Sequence, residues 1–82
     1  DIAASLNDRG RARRIEGSYE EAIADQRSAQ TMLERVFGGR DHPNVARVLD
    51  DLADSLQAAG SPTEAETLRE PSQAMRARLK SQ

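Results

Sequence analysis

Asp50, Asp51 and Asp54 bring three carboxylates together within five residues, and Arg9, Arg11, Arg13 and Arg14 bring four guanidinium groups together within six. On a helix Asp50 and Asp54 are one turn apart and share a face. Paired carboxylates can move protons or hold a divalent cation. Nothing at matching spacing supplies a nucleophile, a cage of loop oxygens or an oxyanion donor, so catalysis is not the expected use. A helix with four arginines can read phosphate. Here no aromatic residue is interleaved with the arginines, and the whole chain carries a net charge of −2. Nucleic acid is therefore not an expected partner.

The other chemistry-bearing residues are isolated. His42 is the single histidine, without the second histidine or cysteine that a metal site would need. Packing in a turn is its expected role. Gly38-Gly39 lacks the Gly-Lys-Ser/Thr ending of a phosphate loop, and no strand precedes it. The chain has no cysteine, which excludes disulfides, thiolate metal sites and a cysteine nucleophile. No cofactor and no metal are expected.

These residues sit on a repeating framework. Residues 44–79 repeat residues 1–36 at an offset of 43. Ile2-Ala3, Leu6, Gly17-Ser18 and Glu21-Ala22 lie over Val45-Ala46, Leu49, Gly60-Ser61 and Glu64-Ala65, and Met32 lies over Met75. A period of this size marks stacked repeats, which assigns repeat 1 to residues 1–41 and repeat 2 to residues 42–82. The spacing predicts four helices. The first runs from about Ile2 to Ile15 and carries Ile2, Leu6 and Gly10. The second runs from about Ser18 to Val36 or Phe37, with Ala22, Ala29, Leu33 and Val36 facing inward. The third runs from about Pro43 to Ala59 and carries Val45, Leu49, Leu52, Ala53 and Leu56. The fourth follows Ser61-Pro62 and carries Ala65, Leu68, Ser72, Met75 and Leu79. Ser18 with Glu21 and Ser61 with Glu64 read as capping boxes, and Asp41 as the N-cap of the third helix. Pro71 falls inside the fourth helix and predicts a bend or break.

With 82 residues, 37% of them hydrophobic and 32% charged, the chain reads as one small all-α domain. No apolar run approaches about 18 residues, and no signal sequence opens the chain, so membrane is not an expected partner and the cytoplasm is the expected compartment. Lys80 is the single lysine among 12 basic side chains. Together with the abundant alanine, this points to a GC-rich bacterial source.

The run Gly38-Gly39-Arg40-Asp41-His42-Pro43-Asn44-Val45-Ala46, then Leu49-Asp50-Asp51-Leu52-Ala53, then Gly60, Glu64 and Ala65, resembles a tetratricopeptide repeat. More narrowly, it resembles the longer kinesin-light-chain-like variety of about 42 residues. The resemblance implies four antiparallel helices in two stacked helix-turn-helix repeats, a short α-solenoid. First helices would line a concave groove that holds a peptide or a partner helix. The groove positions it implies are Ala4, Asn7, Asp8, Arg11, Arg14 and Ile15, with Arg47, Asp50, Asp51, Asp54, Gln57 and Ala58. Of these, Asn7, Arg11, Arg14, Arg47, Asp50, Asp51 and Asp54 are the candidate partner-binding residues. In this repeat class an Asn-Asn pair often precedes the Leu-Ala; here the pairs are Asn7-Asp8 and Asp50-Asp51.

Arg11 and Arg14 are placed to meet Asp54 and Asp50, either as structural pairs or as a bipolar groove that selects a ligand carrying both charges. Arg9 and Arg13 stand where Leu52 and Leu56 stand in repeat 2. They either lay their stems along the core or form a polar end-cap. The expected function is a non-enzymatic protein–protein interaction module. The alternative is a homodimer through exposed solenoid ends, Ile2 and Leu6 at one and Leu68, Met75 and Leu79 at the other.

Overall fold

Small residues recur where the helices cross. Ala3 and Ala46, Gly10 and Ala53, and Ala22 and Ala65 are related by the offset of 43, and all six are buried. In the computed structural model, which describes residues 2–82, they lie on four helices: α1 (Ile2–Ile15), α2 (Tyr19–Phe37), α3 (Pro43–Ala58) and α4 (Pro62–Lys80). No strand occurs among the described residues. α1 packs on α2 and α3 on α4, giving two antiparallel pairs. The pairs stack through α2 against α3, with a lighter contact of α1 on α3. The result is a short α-solenoid of two helix-turn-helix units.

Both units turn in the same way. Gly17 and Gly60 adopt φ +87° and +91°, a left-handed conformation that side chains resist. The amide of Ser18 donates to Arg13 O and that of Ser61 to Leu56 O, each at 2.8 Å. Gly17 N donates to Arg14 O and Gly60 N to Gln57 O. This is the paired hydrogen-bond pattern of a Schellman turn, repeated 43 residues apart. It corrects the expected capping boxes. Ser18 and Ser61 are held at ψ 67° and 63°, short of the extended conformation an N-cap needs, and their side chains make no cap hydrogen bond. The glutamates of the boxes accept from arginines instead: Glu21 from Arg13 and Glu64 from Arg27.

α3 starts at Pro43 as expected, but its N-cap is corrected by one residue, from Asp41 to His42. Pro43 occupies the first turn, so His42 is the N-cap, and its Nδ1 accepts from Asn44 N at 3.1 Å. The His42 ring stacks on Phe37 with centroids 4.1 Å apart, as a packed turn histidine should. Asp41 is released to bind Arg78. Of the bend or break expected at Pro71, the break does not occur, for α4 runs continuously to Lys80. Ser72, the next residue, anchors the helix to α3 by donating to Ala46 O at 3.2 Å and to Asp50 Oδ1 at 2.6 Å.

Two apolar clusters fill the interior. One joins Ala3, Ala29, Leu33 and Val48, with Leu6, Met32, Phe37 and Val45 against it. The other joins Leu52, Ala53, Leu56 and Ala65, with Ile23 and Leu68. Two residues of the expected stripes turn outward: Ile2 is 70% and Val36 is 64% exposed. Beyond Val36 it is Phe37 that packs inward, onto His42.

Between the clusters Ser55 donates to Gln26 Oε1 at 2.6 Å with both residues fully buried. Gly10 lies against the Gln26 side chain. A Cβ at Gly10 would stand 2.6 Å from Gln26 Cγ and 3.1 Å from the Ala22 carbonyl oxygen. Gly→Ala inside a helix ordinarily stabilises by about 1 kcal/mol. Gly10→Ala is expected instead to destabilise by about 1–3 kcal/mol through overpacking, measured as a lower urea midpoint with an unchanged slope. Pro71→Ala restores a donor to the Thr67 carbonyl and is expected to stabilise by about 1–3 kcal/mol in the same measurement.

Candidate functional site

The face formed by α1 and α3 carries the candidate residues. The i, i+4, i+7 spacing sets Ala4, Asp8 and Arg11 along one side of α1, and Arg47, Asp51 and Asp54 along the facing side of α3. Most of the charge there is spent internally. Asn7 is 2% exposed and donates Nδ2 to Asp51 Oδ2 at 2.7 Å. Arg11 Nε lies 3.9 Å from the same carboxylate. Arg14 Nη1 lies 3.6 Å from Asp54 Oδ2 and donates to the Asp51 carbonyl at 3.3 Å. Asp54 also accepts from Arg69 at 2.9 Å, so it bridges α1 and α4.

The expected pairings of Arg11 with Asp54 and of Arg14 with Asp50 are both corrected: Arg11 meets Asp51 and Arg14 meets Asp54. Asp50 leaves this face and turns to α4, where it accepts from Ser72 and from Arg76 Nη2 at 2.7 Å. Position 50 lies a helical turn's quarter away from 51, which is enough to move it from the α1 side to the α4 side. The three aspartates that read as one acidic cluster thus serve three different neighbours. Among the described residues no group of three His, Asp or Glu side chains gathers as a metal site.

One end of the face stays open. Among the described residues neither the Asp8 nor the Arg47 side chain makes a hydrogen bond or ion pair. They flank a small pocket of about 60 Å³ together with Ala4, Asn7 and Asn44. Asn7 Oδ1 is buried beside it without a donor, and an unsatisfied buried acceptor costs about 1–3 kcal/mol. Arg47 was named from the sequence. Asp8 was named as a groove position, but its freedom from partners shows only in three dimensions.

Charge also seals the sides of the molecule. Asp25, buried between α1 and α2, accepts from Arg9 Nη2 at 2.8 Å and Nε at 2.9 Å, and Arg13 Nε lies 3.1 Å away. Arg9 and Arg13 therefore reach a buried carboxylate rather than lying along the core. Asp41 is held by Arg78 in a two-pronged contact at 2.6 and 2.9 Å. Sequence reasoning missed Asp25. The repeat offset held the signal, since Asp25 stands where Leu68 stands in the second unit.

Two stacked antiparallel helix pairs, with a shared glycine turn and a polar face on their first helices, define a helical-repeat scaffold. The tetratricopeptide repeat family model matches residues 1–77. The chain belongs to the tetratricopeptide repeat family, whose members generally mediate protein–protein interactions and are typically non-enzymatic. Comparison with curated proteins and with solved structures returned no significant match. No helix among the described residues is long and apolar enough to cross a membrane.

Asp25 is held below the usual carboxylate value by the hydrogen bonds from Arg9, with burial opposing and the charges of Arg9 and Arg13 assisting. Asp41 is lowered by the hydrogen bond from Arg78, again against burial and with its charge assisting. A carboxyl lowered by folding stabilises fully above its unfolded value of about 4 and loses that contribution as pH falls through its folded value. Stability is therefore expected to be flat with respect to these two groups from pH 7 to about pH 5 and to fall in acid. Asp25→Asn combined with Asp41→Asn should shallow that acid limb in urea titrations. Parallel limbs in parent and variant would show that these pairs do not contribute.

Proposed function

We propose that the chain is a non-enzymatic binding module that holds an extended segment of a partner protein across the α1–α3 face. The contact centres on the end flanked by Asp8 and Arg47. The observation that carries this reading is the division of charge on that face. Arg11, Arg14, Asp51 and Asp54 neutralise one another, while among the described residues Asp8 and Arg47 stand unpartnered beside the pocket under Asn7. A peptide backbone offers what this end lacks. Its N–H groups donate toward Asp8 and the Asn7 acceptor, and its carbonyls or a carboxylate accept from Arg47. The already paired charges set register and exclude unsuitable partners more than they add affinity.

The Asp41-His42-Pro43 turn and the offset of 43 favour the longer kinesin-light-chain-like variety, with repeats at residues 1–41 and 42–82. Self-association through apolar ends finds less support. Met75 is buried, Leu6 and Leu68 pack against the core, and of the five residues in that reading Ile2 stands out as exposed.

Panning a random-peptide library over the immobilised chain is expected to yield peptides whose affinity falls at least tenfold, about 1.4 kcal/mol, in Arg47→Glu and in Asp8→Arg. Arg76→Glu, on α4 and away from this face, should change it little. Selected peptides that bind Arg47→Glu as tightly as the parent would remove this end of the groove as the site.

A further inference from the structure

The two units are joined by a specific set of contacts, and the offset of 43 shows what became of each on the two outer faces. On the first unit, α2 presents Ile23, Gln26, Leu33 and Phe37 to the second. The equivalent positions on α4 are Glu66, Arg69, Arg76 and Lys80. Arg69 is tied to Asp54 and Gln57, and Arg76 to Asp50. On the second unit, α3 and α4 present Val48, Leu52, Leu56 and Leu68 to the joint or the core beside it. The equivalents in the first unit are Ser5, Arg9, Arg13 and Asp25. The last three form the buried-carboxylate triad. Every one of the eight outer positions is polar or charged, and five of them, Arg9, Arg13, Asp25, Arg69 and Arg76, are held in ion pairs.

We infer that both outer faces of this two-repeat unit are closed to stacking. Neither the α1–α2 face nor the α3–α4 face accepts a further repeat, or a second copy of the chain, through the contacts that join these two units. A helix pair laid on either face would strip water from paired arginines and aspartates and offer them no hydrogen bonds in return. The outer faces act as the polar caps that a solenoid needs at its ends. The closure of these two faces to stacking holds whether or not the α1–α3 groove binds peptide.

The test uses the chain itself and two face-converted variants. By light scattering, the parent is expected to remain a monomer from micromolar to millimolar concentration. One variant carries Ser5→Val, Arg9→Leu, Arg13→Leu and Asp25→Leu. The other carries Glu66→Ile, Arg69→Gln, Arg76→Leu and Lys80→Phe. An equimolar mixture should form a one-to-one dimer at least a hundredfold more tightly than the parent self-associates. A single joint with capped ends stops the assembly at two chains. A parent that dimerises at micromolar concentration, with Arg9→Ala or Arg76→Ala abolishing the dimer, would overturn the inference. So would two variants that are helical by circular dichroism and stay monomeric when mixed. The parent measurement decides the matter by itself should either variant fail to fold.

Discussion

Gln26 reaches from α2 to Ser55 on α3 across a contact from which water is fully excluded, and Gly10 of α1 closes over its side chain. Three helices are committed to one small volume there. The hydrogen bond is short at 2.6 Å, but it leaves Gln26 Nε2 without an acceptor. A buried amide satisfied on one side contributes little net stability. What it supplies is geometry: the missing side chain at Gly10 makes room for Gln26, which ties α2 to α3 beneath α1. The alanines at 22, 29, 46, 53 and 65, all at zero exposure, keep the remaining crossings equally close.

Such a thin core, built largely from alanine, cannot draw stability from large side chains, since a short chain buries a modest share of its surface. The chain surrounds it with ion pairs instead. Exposed pairs such as Arg27–Glu64 are each worth about 0–1 kcal/mol, so their number is no measure of stability. Their placement carries more meaning. Arg14–Asp54–Arg69 ties α1, α3 and α4 across the polar face, and Asp41–Arg78 ties the inter-unit loop to the end of α4. Each links segments distant in sequence, and so fixes register between units that helix propensity leaves free.

The helices and their order were legible in the sequence because periodicity and glycine turns act locally. Gly17 and Gly60 ended helices where expected, since an achiral residue is what a left-handed turn requires. The errors arose where a local rule met a non-local competitor. Ser18 and Ser61 have the composition of capping boxes, but the Schellman turns before them set their backbone, and Glu21 and Glu64 found arginines. Asp41 has the preference of an N-cap, but with Pro43 as the first helical residue the cap falls to His42, and Arg78 claims the Asp41 carboxylate. Pro71 keeps its local penalty while Ser72 holds the helix to Ala46 and Asp50 immediately beyond it.

The candidate site was legible in membership and not in allegiance. Asn7, Arg11, Arg14, Arg47, Asp51 and Asp54 do share the α1–α3 face, whereas Asp50 does not. Charge type alone could not say which arginine meets which aspartate, because that depends on the rotation of α3 against two neighbours at once. Comparison between the repeats recovers part of this. Where Leu52, Leu56 and Leu68 become Arg9, Arg13 and Asp25, three positions change in concert from apolar to mutually paired. Three unrelated losses of hydrophobicity would leave a buried carboxylate without its cations, at a cost far above that of any one surface pair. A concerted change is therefore the signature of a face that has stopped meeting a helix and has begun to meet water. The same logic read in the other direction marks the groove end, where Asp8 and Arg47 carry charges that meet no partner among the described residues.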